Sequence, residues 1–336
     1  MIKELWQLKP EDAGVYGGKA TGLGTLCRIR SNVPPGWAIA AGDDITAYEP
    51  WQDLKKTRKH FAVRSSHPQE DSGAASFAGQ FLTRLNRTWL KVPAAIEECR
   101  ASVEAARPYA EAMGVELRGE MAVVVQEMVN AVIAGVVITH DINDVLGYGR
   151  LEYVEGLGDK LVDGSDKPVQ SLRVDVAGRR FLDKANMDRA SVLSNVLYYV
   201  RRVQEFFEVP LDVEWAVDAK DKLWMLQARP LVLTGKWLTG DGQGIGYGAV
   251  TGLVQRRPSL GQFTSGRVLV TKMTKPNMVA DMIKSAAIVT EIGGRTCHAA
   301  IVARELGKPC VVGCRASVAF KNEQTVHVDA SAGTAR

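Results

Sequence analysis

Three groups of residues in this chain have the types and spacing to handle a phosphoryl group. His298 follows Gly293, Gly294 and Arg295 and begins a stretch in which Ala299, Val302, Ala303 and Leu306 recur at i, i+3, i+4 and i+7 before Gly307. That pattern predicts a helix stopped at Gly307, with His298 at its N-terminus and at the edge of the buried stripe. Unpaired backbone N–H groups, the macrodipole, glycines that permit close approach and Arg295 all favour a negative group there, and an imidazole is a nucleophile that can carry one. Glu214 and Gln227 form the second group. Two alternating runs, 211–217 and 223–226, flank the turn 218–222, so a hairpin puts Glu214, inside the first run, and Gln227, directly after the second, on neighbouring strands and lets both face one side. A carboxylate and an amide oxygen are the hard-oxygen ligands that Mg²⁺ takes beside nucleotide phosphates, and Arg229 shares their face because strand side chains alternate with period 2. The third group is Arg64, at the edge of a Ser/Gly-rich loop that ends at Gly79. Its fork suits phosphate oxygens, which small residues and unpaired N–H groups can fold over.

Each group also has a plainer reading. A histidine at a helix start serves as a cap, an E…Q…R pattern marks an exposed strand face, and a Ser/Gly loop is most often only a loop. Cys297, His298, Cys310 and Cys314 are zinc-ligand types, but adjacent Cys297 and His298 with no C-x₂-C knuckle do not make a zinc site. Near the N-terminus, Gly18-Lys19-Ala20-Thr21 invites a P-loop reading. It fails, because the motif needs Gly at position 13 and Ser or Thr at position 20, and both are Ala. On local grounds Lys19 is a solvated charge among turn glycines.

The stretch GGRTCHAAIVARELGKPCVVGC, from Gly293 to Cys314, resembles the phosphohistidine signature of the phosphoenolpyruvate-utilising enzymes, and Thr296-Cys297-His298 is most similar to the synthase branch. The segment GGKATGLG…VPPG resembles the opening of that family's nucleotide-binding domain, VRSS…ED…SFAGQ its phosphate loop, and LDVEW…LQARP its metal-binding hairpin. The resemblance implies an α+β fold, an ATP-grasp nucleotide-binding domain plus a swivelling β/β/α phosphohistidine domain. It implies ATP and Mg²⁺ as cofactors. Lys19, Arg64, Gly79, Thr83 and Arg229 would then bind phosphates, Gln126 and Met128 would line the adenine pocket, Glu214 and Gln227 would hold the metal, and His298 would be phosphorylated. Phe81 and Leu82 depart from the family, which has polar residues there. Read as residues alone, Gln126 and Met128 are equally strand positions pointing into a core.

To position these groups the chain needs several elements. A glycine turn and helix precede Pro34-Pro35, and a strand at 61–63 enters the loop. A helix is expected over 94–112, and two β-rich runs within 121–141 read as an antiparallel pair joined by a polar turn. A helix over 190–207 leads into the hairpin. Residues 41–60 are short and polar beside the family, as if helical material were deleted, and 168–189 carry little legible chemistry. Residues 234–248 hold six glycines among fifteen positions, which reads as a flexible linker between domains 1–233 and 249–336. In the second domain, strands at 268–270, 287–290, 311–312 and 325–328 alternate with helices.

Composition is that of a globular protein, 46% hydrophobic and 24% charged over 336 residues. A net charge of +4 without Lys/Arg blocks gives no nucleic-acid surface. Five irregularly spaced cysteines form no disulfide framework, and no run approaches a membrane span, so a reducing cytoplasm is expected. The expected activity is phosphoryl transfer from ATP to neutral His298 and on to an acceptor. Family likeness makes the β-phosphoryl the one transferred, with AMP and phosphate as products, although the residues themselves do not separate β- from γ-transfer. A tether of about 15 glycine-rich residues spans on the order of 20 Å, enough for His298 to leave the ATP site. The second station is expected on a separate protein resembling the family's pyruvate-binding barrel. Alternatives are a small acceptor at the domain interface, as in the antibiotic phosphotransferases, and an inactive ATP-binding regulatory relative.

Overall fold

Continuous apolar runs, not alternating ones, mark the middle of the molecule. In the computed structural model the strands Ala122–Glu127 and Ala131–Ile138 are buried over most of their length, which requires cover on both faces. The structure describes all residues except 55–56, 58, 71–80, 113–115, 142–147, 163–167, 184–188, 232–247, 258–261, 315–319 and 336. Gly79 and nearly all of the expected linker therefore lie outside the described residues.

The two apolar runs do not pair with each other as the sequence suggested. Ala122–Glu127 lies between Gly36–Ile39 and His60–Ser66 in an antiparallel sheet whose outer strands are Ile2–Glu4 and Thr83–Thr88. Ala131–Ile138 lies between Leu211–Asp218 and Gly149–Glu155 in a second antiparallel sheet, which continues to Leu223–Pro230 on one side and to Gln170–Asp175 and Arg180–Phe181 on the other. Residues 128–130 thus hand the chain from one sheet to the next. A run buried on both faces has no alternation to fix its neighbour, which is why the hairpin reading was open to error.

Helix Ala13–Arg28 packs on both sheets and carries a break at Gly17, whose φ is +81°. A Cβ there would lie 2.4 Å from the Ser66 carbonyl carbon, so both conformation and close approach require glycine. Helix Ala190–Phe207 has the bounds expected. It buries Leu193, Val196, Leu197, Val200 and Val203 at helical spacing against the strands Leu211–Asp218 and Leu223–Pro230. The single helix expected over 94–112 is instead a helix Val92–Ala101, a 3-10 turn Ser102–Ala106 and a helix Arg107–Ala112. Within the polar stretch 41–60, helix Glu49–Leu54 carries the fully buried Trp51, packed with Trp37, Phe61 and Trp89.

A third sheet is mixed. Cys310–Val311, Ala287–Thr290, Val268–Thr271 and Ala249–Arg257 run parallel, and Thr325–Asp329 and Thr334–Ala335 continue antiparallel. With its helices this completes an α+β chain. The third sheet has its own apolar core, and a further cluster joins it to the N-terminal part: Phe81, Ala106, Ala110 and Met121 meet Val279, Met282, Val302 and Ala303. Among the described residues no helix is long and apolar enough to cross a membrane.

Candidate active site

The strand Leu211–Asp218 pairs with Leu223–Pro230 so that Glu214 stands directly opposite Gln227, with Asp212 opposite Arg229. Arg64, on the strand His60–Ser66, is 9% exposed and sits between the two sheets. One guanidinium nitrogen, Nη2, donates to Gln227 Oε1 at 2.6 Å and to Glu214 Oε2 at 3.4 Å. The other, Nη1, donates to the Leu226 carbonyl at 2.7 Å and to Gln126 Oε1 at 3.4 Å. Arg64 is thereby fixed as a rigid fork with its hydrogens already aimed at oxygen acceptors.

Lys19 is buried, and its Nζ donates to Glu70 Oε1 at 2.7 Å and to the Ser65 carbonyl at 2.8 Å. Arg229 lies against Asp212, with Nε and Nη2 at 3.2 and 2.8 Å from Oδ2. All three cations expected to meet phosphates are thus held by oxygens of the protein. Thr83 is the cross-strand partner of Arg64 and is exposed on the cleft wall. Gln126 is buried, its Nε2 bonded to the Pro34 carbonyl at 3.2 Å, and Met128 is half-buried beside it.

His298 opens the helix His298–Glu305, with Cys297 as N-cap and Gly307 at φ +62° just beyond the helix. The helix start and stop are those expected. The environment is not, because His298 is 4% exposed and not at the edge of the buried stripe. The helix lies between its own sheet and the N-terminal part, so nearly all its sides are covered. Burial pulls the imidazole pKa down to about 4, and the ring is neutral at neutral pH. Nδ1 and the Thr274 hydroxyl are 2.7 Å apart, while the buried Nε2 has no hydrogen-bond partner among the described residues. If Nδ1–H donates to Thr274, the Nε2 lone pair is left free for attack.

One cleft of about 900 Å³ is lined by Lys19, Arg64, Thr83, Gln126, Met128, Glu214, Gln227, Arg229 and His298. The described residues expected to bind nucleotide, metal or phosphoryl group are therefore brought together, across separations of up to 279 positions (298 minus 19), whereas Arg295 is not in the lining. The volume suits a nucleotide-sized ligand. Three groups were missed. Glu70 was quoted only inside a motif, Thr274 lies 24 residues before His298 with no local signal, and neither Glu152, on the strand Gly149–Glu155, nor Asp141, three residues beyond the strand Ala131–Ile138, was singled out. The helix-preceding N–H groups and Arg295, expected to favour an anion, are directed at Glu152 and Asp141. For a metal, Glu214 and Gln227 supply two oxygens from directly opposed strand positions on the cleft wall, which fits Mg²⁺ shared with phosphate oxygens.

Two family descriptions match this chain. Pyruvate phosphate dikinase, AMP/ATP-binding domain, covers residues 45–193 and 182–238, and PEP-utilising enzyme, mobile domain, covers residues 263–333. Among curated proteins the chain is similar to the probable phosphoenolpyruvate synthase of Methanothermobacter thermautotrophicus, at 30% identity over 97% of this chain and 62% of that protein. It is similar to the phosphoenolpyruvate synthases of Neisseria meningitidis serogroup B, at 32% over 81% of this chain and 42% of that protein, and of Escherichia coli K12, at 29% over 81% and 42%. The chain thus spans less than two thirds of the length of each of these relatives. Among solved structures it is similar to the D-alanine-D-alanine ligase from Coxiella burnetii, with 8% identity and a TM-score of 0.37 over 65% of this chain and 48% of that one. It is also similar to D-alanyl-alanine synthetase A from Vibrio cholerae, with 9% and 0.34 over 65% and 55%. Likenesses this slight carry no argument.

Proposed function

Since the chain belongs to the pyruvate phosphate dikinase AMP/ATP-binding family, continued by the mobile domain of PEP-utilising enzymes, we propose that it is an ATP-dependent phosphotransferase of the phosphoenolpyruvate synthase type. ATP is the donor, His298 the covalent carrier, and pyruvate or a related small molecule the final acceptor. The observation that carries this reading is the buried Nε2 of a neutral histidine, unpartnered among the described residues and lining the same cleft as three cations and a carboxylate–amide pair.

In the transfer step the Nε2 lone pair forms the N–P bond as the bridging P–O bond breaks, and the electron pair leaves on the nucleotide oxygen. Nδ1–H stays on the ring and keeps its bond to Thr274 while the imidazole gains positive character. Arg64, Lys19 and Arg229 exchange protein oxygens for phosphate oxygens when ATP binds, so that in the transfer step itself they offset charge from positions already set. Glu214 and Gln227 would hold Mg²⁺, whose chemistry here is to offset charge on the phosphate oxygens. Domain bounds of 1–233 and 249–336, joined by the glycine-rich segment, give His298 the reach to leave the cleft.

We assign the onward transfer to a separate acceptor protein, since in this reading the cleft's cations and its carboxylate–amide pair are all committed to the nucleotide phosphates and the metal. Incubation with ATP labelled at the β or γ position should leave acid-labile, base-stable label on the protein, and a relative that only holds ATP would take none. Phosphoprotein freed of ATP and given pyruvate should stay phosphorylated until a second protein is added. Phosphoenolpyruvate formed by this chain alone would overturn the separate-acceptor assignment.

A further inference from the structure

The strand Gly149–Glu155 carries Leu151 and Tyr153 into its own core and turns Glu152 to the opposite face, where the side chain is 1% exposed. A carboxylate can accept about four hydrogen bonds, and Glu152 accepts four among the described residues. Of these its own sheet supplies one, from the Ser171 hydroxyl at 2.9 Å. The other three come from the turn before His298: Arg295 N–H at 3.2 Å, Thr296 N–H at 3.2 Å and the Thr296 hydroxyl at 2.7 Å. Asp141, also 1% exposed, accepts from Arg150 at 3.0 Å and from Arg295 at 2.7 Å.

Gly294 gives independent evidence of the same contact. Its backbone is not among the positive-φ glycines, so conformation does not demand glycine there. A Cβ on it would lie 2.6 Å from Glu152 Oε2. Glycine is present because a carboxylate from the other half of the chain approaches this closely. The apolar cluster of Phe81, Ala106, Ala110 and Met121 with Val279, Met282, Val302 and Ala303 gives non-directional adhesion between the halves. Glu152 supplies direction, since its two oxygens read successive peptide N–H groups and fix the register of the turn that bears His298.

We propose that Glu152 is a positioning residue, the receptor into which the turn Gly294–Arg295–Thr296 docks to set His298 in the ATP cleft, with Asp141 as its auxiliary through Arg295. This rests on the phosphotransferase reading for its purpose, but not for its geometry. The contact is reversible by construction. On undocking, the carboxylate and the N–H groups exchange each other for water, so a bond that is strong in isolation is small in net terms. The latch therefore holds His298 for the first transfer without trapping it there.

The test uses Glu152→Gln, which puts an amide where two N–H donors need an anion, and Gly294→Ala, which blocks the same contact from the other side. Each should lower the rate of label transfer from ATP to His298 by about tenfold while leaving the ATP Kd unchanged, as loss of a charge-assisted contact predicts. Amide hydrogen exchange at Arg295 and Thr296 should rise by about tenfold or more in both variants, with the strand Val268–Thr271 unchanged. The double variant should be no slower than the slower single, because both changes break one interaction. Wild-type labelling rates with unchanged exchange in either variant would overturn the proposal, and so would weakened ATP binding together with a general loss of protection, which is the signature of a merely structural role. If the wild-type protein takes no label, the phosphotransferase reading fails, and exchange at Arg295 and Thr296 still decides the docking.

Discussion

Replacing Thr274 by Val probes how His298, the proposed nucleophile, is prepared. The substitution keeps shape and volume and removes one hydroxyl, which is 2% exposed and 2.7 Å from His298 Nδ1. A neutral hydrogen bond of this kind contributes about 0.5–1.5 kcal/mol net, and a buried donor left without a partner costs about 1–3 kcal/mol. In the variant both tautomers leave one ring N–H buried and unpaired, so the bias toward Nδ1–H and a free Nε2 lone pair disappears. With about 1 kcal/mol of that bias felt in the transition state, phosphorylation of His298 slows by roughly fivefold, since about 1.4 kcal/mol is tenfold. Single-turnover transfer from labelled ATP measures the rate, ATP titration should give an unchanged Kd, and nitrogen-detected ring NMR reports the tautomer. A variant that transfers at the wild-type rate with His298 still uniformly Nδ1–H would refute the reasoning, because the hydroxyl would then be orienting nothing.

Three further predictions concern stability and metal. Burial lowers the His298 pKa from 6.5 to about 4, so between those values the unfolded chain binds a proton that the folded one does not. Its contribution is fully present above about pH 6.5 and is lost as pH falls toward 4, by up to about 3 kcal/mol. His298→Asn should flatten that part of the denaturant-midpoint profile, and an unchanged slope would count against the burial. Gly17→Ala forces a Cβ to 2.4 Å from the Ser66 backbone at φ +81°, and should destabilise the protein by about 2 kcal/mol or more in urea unfolding. Glu214→Ala should abolish Mg²⁺-dependent phosphorylation while leaving the unfolding midpoint within about 0.5 kcal/mol; unaltered magnesium dependence would remove Glu214 from the metal site.

What was legible in the sequence followed local physics. The helix over 190–207 was readable because one apolar stripe sits on an otherwise polar surface, and the start at His298 and stop at Gly307 because both ends carry their own signals. The hairpin that opposes Glu214 and Gln227 was readable because both strands alternate around a polar turn. The apolar runs at 122–127 and 131–138 were legible as strands but not as to partner, since burial on both faces erases the pattern that specifies pairing. Arg64 and Arg229 could be named as cations of the candidate site from residue type and placement, and Lys19 only through the family resemblance, yet the partners of Lys19 and Arg64 come from segments 46 to 163 residues away, and ion-pair choice has no sequence periodicity. Burial of His298 was hidden for a related reason. Helical periodicity describes the cover given by a helix's own sheet, and Glu152 with the N-terminal part adds a second cover from more than 140 residues away.

The central claim is that Nε2 of His298 takes a phosphoryl group from ATP in the cleft shared with Arg64, Glu214 and Gln227. Phosphorus NMR on the protein after incubation with ATP and Mg²⁺, followed by peptide mapping under alkaline conditions, tests it most directly. The predicted result is one phosphohistidine resonance of the Nε2 type that maps to His298 and is absent from His298→Ala. Phosphate on Nδ1, phosphate on another residue, or acid-labile phosphate that persists in His298→Ala would contradict it.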